Sequence, residues 1–78
     1  MSIDNAICTS TLVLIISEIV GIDEEYIDLK ISPNDIVVES LKIALLMSSL
    51  NEKGYTLNIK DFYESKNISE LANKIGAL

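Results

Sequence analysis

Ser40 lies in the run NDIVVESLKIALLMSSL, residues 34–50, between the acid Glu39 and the aliphatic Leu41, at the head of a long apolar stretch. A hydroxyl in that setting has two uses. It can cap a helix by accepting a backbone hydrogen bond, or it can carry a covalently attached group that the sequence does not encode. Little else in the chain offers chemistry. With no histidine and only Cys8 as cysteine, it cannot assemble a Ser-His-Asp triad or a four-ligand zinc site. Gly21, Gly54 and Gly76 are scattered, and none belongs to a phosphate-cradling loop. Asp23, Glu24 and Glu25 run together but lack the alternating oxygen ligands and turn glycine of a calcium loop, so a solvated turn is the simpler reading. The chain is therefore read as a non-enzyme with no metal.

The elements that must position Ser40 come from a chain of 78 residues, enough for one domain, residues 1–78, and one core. A chain of this length buries only about 60% of the surface it exposes when unfolded. Its hydrophobic share of 49% supports a packed core and argues against disorder. Twelve acids against six lysines give a net charge of −6. Nucleic-acid backbones and anionic membranes repel such a surface, which excludes both as partners and favours docking on basic patches of other proteins. A single cysteine fits a reducing compartment, and Cys8 itself is expected to be buried on the first helix. No lysine or arginine precedes Lys30, so the apolar residues 6–22 lack the positive start of a signal peptide. Glu18 interrupts that run, and LVLII is too short to span a bilayer. A cytoplasmic monomer is the default reading, free-standing given Met1.

Residues 4–20 carry a helical stripe of Cys8, Leu12, Ile15 and Ile19, widened by Ile16 and Val20. Asp4 is placed to cap this helix and Gly21 to end it. Residues 22–39 form a long connection whose Ile22, Tyr26, Ile27, Leu29, Ile31 and Ile36 should pack over the core, with a turn of helix near 23–26. SPND at 32–35 permits a rival helix from Pro33 to Lys53 with Ser40 in its middle. The β-branched IVV at 36–38 argues against it. The preferred reading is a turn at 32–35, an extended 36–38 and a new helix from Ser40.

From Ser40 to Lys53 the stripe is Ile43, Leu46, Met47 and Leu50, flanked by Leu41 and Ala44, and Gly54 ends the helix. YTLNI alternates weakly but has no partner strand to pair with. A short segment at 60–65 uses Phe62 and Tyr63 as anchors. NISE at 67–70 resembles a capping box with Asn67 as the cap, opening a helix whose inner face is Ile68, Leu71, Ala72 and Ile75. The fold is all-α, with three main helices, one short helix and a long loop between the first two.

This order of features resembles the acyl carrier and peptidyl carrier proteins along essentially the whole chain. Glu39, Ser40 and Leu41 stand where that family has Asp-Ser-Leu, and LNEKGYTLNIKDFYESKNISELANKI resembles its closing segment. The resemblance implies a small acyl-carrier-like four-helix bundle. It implies 4′-phosphopantetheine esterified to Ser40, taken from coenzyme A by a separate magnesium-dependent phosphopantetheinyl transferase. The thiol of that arm would hold acyl or aminoacyl groups as thioesters for loading and downstream biosynthetic enzymes. A phosphodiester on Ser40 would sit at a helix N-terminus, where unpaired N–H groups and the dipole favour an anion.

The departures are specific. Val37 replaces the family's usual glycine two residues before the acid, and the acid is Glu39 instead of aspartate. Lys42 and Leu45 fall at positions commonly acidic in fatty-acid carriers, which leans the reading toward a polyketide or nonribosomal peptide pathway. Glu39, Leu41, Lys42 and Leu45 are the candidate partner contacts. The ordinary readings are a first-turn acid for Glu39, a solvated lysine for Lys42, and a marginal core or singly exposed leucine for Leu45. The alternative function is a helical adaptor that keeps the bundle, is never modified and binds a protein partner.

Overall fold

Residues 7–77 are described by the computed structural model. Helix α1 spans Thr9–Val20, and a single 3-10 turn follows at Glu24–Tyr26. Helix α2 is one turn, Pro33–Ile36, and α3 spans Ser40–Glu52. Strand β1, Tyr55–Thr56, leads into α4, Ile59–Glu64, then α5, Ile68–Lys74, and strand β2, Gly76–Ala77. The mostly helical fold is the one the sequence implies, with a short helix and a minimal sheet added.

Apolar periodicity explains the core. Helix α1 buries Leu12, Val13, Ile15 and Ile16 against α3 and α5, while Ile19 and Val20 are half-buried. Helix α3 contributes Ile43, Leu46 and Leu50, and α5 contributes Ile68, Leu71 and Ala72, with Ile75 just beyond its end. Phe62 of α4 is fully enclosed, while Tyr63 meets it edge-on, ring centres 5.4 Å apart, and faces solvent. Gly21 ends α1 at φ 76°, donating its N–H to Ser17 O at 2.9 Å in a backbone conformation that suits a residue without Cβ. Asn67 caps α5 by accepting from Glu70 N at 2.8 Å. The acid returns to Lys66 N at 3.0 Å, one residue before the cap, so the capping box is offset.

Several expectations are corrected. Cys8 is exposed, at the N-cap of α1, because the described helix begins only at Thr9 and Cys8 lies off the buried stripe. The proposed Asp4 cap lies outside the described residues. In the long connection Ile27 is buried, but Ile22, Tyr26, Leu29 and Ile31 are exposed, so most of its apolar side chains do not cover the core. Backbone anchors hold it there instead: Ile68 N donates to Leu29 O at 3.2 Å, and Ser32 Oγ donates to Lys66 O at 3.3 Å. YTLNI does have a partner. Tyr55 pairs with Ala77 and Thr56 with Gly76, antiparallel, and Leu57 beyond them turns into the core. A two-residue partner beside the chain end carries too little pattern to be seen in sequence.

Candidate functional site

The site is built where α2 gives way to α3. Pro33 supplies a first helical residue with preset φ, so SPND does open a helix, contrary to the simple turn expected at 32–35. It lasts one turn. The β-branched Ile36, Val37 and Val38 disfavour continuation, and Val37 closes it by donating its N–H to Pro33 O at 2.9 Å. Ile36, expected in an extended 36–38 stretch, belongs to that helical turn; Val37 follows at φ −101°, ψ 87°, and Glu39 is extended at φ −80°, ψ 130°. Val37 is fully buried at 0% exposure, and Val38 stands out at 68%. A negative φ at 37 requires no glycine, and the valine takes a place in the core.

Ser40 is the first residue of α3, and Glu39 is its N-cap. Ser40 is thus not itself a capping hydroxyl, and it is exposed. Ile43 N donates to Glu39 O at 3.0 Å, which starts the helical ladder. The amides of Ser40, Leu41 and Lys42 precede that bond and have no acceptor within the helix. No side chain caps them. With the dipole of a 13-residue helix behind them, these amides can donate to an anion placed beside them. The chain's own groups therefore fit a phosphodiester at this position.

Other serines are placed differently. Ser17 Oγ donates to Leu14 O at 2.8 Å, and the buried Ser65 Oγ donates to Asp61 O at 2.7 Å. Ser32 is tied to Lys66 O, and Ser10 Oγ lies 3.2 Å from Cys8 Sγ. Ser69 is exposed near the start of α5, but there Asn67 already occupies one of the terminal amides. Among the described serines, Ser40 is the one that is both exposed and the first residue of a helix.

Exposed apolar side chains lie near it. Leu41 is 74% exposed and Leu45, one turn on, 49% exposed. The expected contacts Leu41, Lys42 and Leu45 thus share one end of α3 with Ser40. Val38 joins them without having been singled out from sequence. Two identical neighbours, Val37 and Val38, carry no sequence signal of which one is exposed. Leu41 and Ala44, expected beside the buried stripe, face solvent instead. Lys42 is not a merely solvated lysine: its Nζ lies 3.2 Å from Glu39 Oε1. No acid occurs between Ser40 and Asn51, although the whole chain is acidic.

Among the described residues, no group of three or more histidines, cysteines and carboxylates could hold a metal, and no helix is long and apolar enough to cross a membrane. The family model described as "Phosphopantetheine attachment site" matches residues 10–75. No curated protein and no solved structure matches the chain.

Proposed function

The chain belongs to the phosphopantetheine-attachment family, whose members carry 4′-phosphopantetheine covalently, and we propose that Ser40 is the residue that carries it here. The observation behind this choice is an exposed serine at the first position of α3, where no side chain caps the leading amides. When attached, the arm supplies a thiol on which acyl or aminoacyl groups ride as thioesters. This chain's part is to present the Ser40 hydroxyl, give up its proton to a transferase as the Ser40 oxygen replaces adenosine 3′,5′-bisphosphate on the phosphorus supplied by coenzyme A, and hold the resulting phosphodiester against the α3 amides. Catalysis belongs to partner enzymes, so the chain itself acts as a substrate and not as an enzyme.

Val38, Leu41 and Leu45 provide most of the recognition energy for those partners. Covering a leucine side chain completely contributes about 2 kcal/mol. The solvent-accessible Glu39–Lys42 pair contributes a few tenths at most. The lack of acids between Ser40 and Asn51 supports a carrier in a polyketide or nonribosomal peptide pathway over one in fatty-acid synthesis. We read the protein as a monomer working in the cytoplasm, a compartment that suits a chain with one cysteine.

The test is intact mass after incubation with coenzyme A, magnesium and a broad-specificity phosphopantetheinyl transferase. Wild type and Ser69→Ala should each gain one phosphopantetheine, and Ser40→Ala should gain none while remaining folded. Modification of Ser40→Ala would overturn the assignment. A wild-type chain that is unmodified in its native host would make it the unmodified adaptor.

A further inference from the structure

A second surface lies away from α3. Between the start of α1 and the long connection is an open groove of about 560 Å³, lined by Val13, Ile27 and Leu29 together with Glu24 and Glu25. That volume falls in the range of ligand-binding clefts, about 300–1,000 Å³. Val13 and Ile27 belong to the core, Leu29 is partly exposed, and both glutamates face solvent. Tyr26 and Ile22, which continue the same connection, expose further apolar surface at 72% and 43%. These apolar side chains lie on the same connection as the carboxylates Asp23, Glu24 and Glu25.

Charge selects the occupant. No lysine lines the groove. Asp23 adds a third carboxylate to the run, and Asp28 follows, its Oδ1 accepting from Lys30 N at 2.9 Å. A second copy of the chain would bring the same carboxylates and be repelled, and so would an anionic lipid surface. An uncharged acyl chain would use the aliphatic lining but leave the glutamates without counter-charge. We propose that this groove docks a cationic amphipathic helix of a partner protein, with its aliphatic side chains against Val13, Ile27 and Leu29 and its lysines or arginines opposite Glu24 and Glu25. Helix-in-groove recognition supplies this arrangement of apolar anchors flanked by charge. No residue of the groove lies on α3, so the proposal stands apart from the role of Ser40.

The probe is a synthetic amphipathic helix of leucine and lysine, titrated into the 15N-labelled full chain and followed by amide shifts. A leucine–glutamate peptide of the same pattern serves as the control. The lysine peptide should give saturable shifts centred on Thr9, Ser10, Val13 and residues 24–29, and the glutamate peptide none. Glu24→Gln/Glu25→Gln should weaken binding about tenfold, and Glu52→Gln/Glu64→Gln, which removes the same charge elsewhere, less than about twofold. Leu29→Ser should weaken it as well, and Ser40→Ala should leave it unchanged. Equal weakening by both glutamine pairs, with shifts scattered over the acidic surface, would reduce the groove to general charge attraction and overturn the proposal. Groove amides that do not respond would overturn it too, including where another part of the chain or a second copy already fills the groove.

Discussion

Lys42 Nζ stands 3.2 Å from Glu39 Oε1, so the cation of α3 turns back toward the residue that precedes Ser40. Both groups stay accessible to water, which keeps the pair weak. Lys42→Gln should lower the unfolding free energy by no more than about 0.5 kcal/mol in urea titration. A loss of several kcal/mol would show that Lys42 supports far more of the fold than this pair.

Val37 gives a sharper expectation, because the family's usual residue there is glycine. Its side chain is fully buried and its φ is negative. Val37→Gly should therefore destabilise the chain by about 2–4 kcal/mol, from lost methyl packing, the cavity left behind and the extra freedom of the unfolded backbone. Val37→Ala should lie about 0.5–1 kcal/mol closer to wild type. Thermal or urea unfolding of the two variants measures both steps, and a Val37→Gly protein as stable as wild type would refute the packing role.

Asn67 anchors the last helix through a single side-chain bond to Glu70 N. Asn67→Ala should cost about 1 kcal/mol, and Asn67→Asp should retain most of the wild-type stability because aspartate caps equally well. Equal losses in the two variants would assign the effect to something other than capping.

Leu41 is the most exposed large aliphatic residue beside Ser40, so its removal separates recognition from folding. Leu41→Ala should leave stability within about 0.5 kcal/mol of wild type. It should raise the KM of the phosphopantetheinyl transferase about fivefold or more, the loss expected when a leucine buried at an interface is truncated. Unchanged kinetics would remove Leu41 from the docking surface.

The helices were legible where pattern and termini agreed. In α5 the Asn67 cap and the spacing of Ile68, Leu71, Ala72 and Ile75 all pointed one way, and all four residues are buried. The start of α3 could be read because three β-branched residues in a row make a poor helix. The same run hid α2, since a single turn closed by Val37 demands little propensity. Exposure of Ile22, Tyr26, Leu29 and Ile31 was not readable, because a connection without periodicity does not say which way its side chains point. The place of Ser40 at the head of α3 could be read from the sequence. That Glu39, and not Ser40, occupies the capping position is a matter of backbone angles, which local residue types leave open.

The pairing of Tyr55 with Ala77 and Thr56 with Gly76 fastens the segment after α3 to the segment after α5. Closing a loop of that length costs only a few kcal/mol of chain entropy, and the cost is met once for everything inside it. Helices α4 and α5 lie within this clasp, while α4 also packs on α2 and α5 on α1. Slow amide hydrogen exchange in α5 should rise and fall with that of β1, and exchange of α5 independent of β1 would show that the two strands do not couple them.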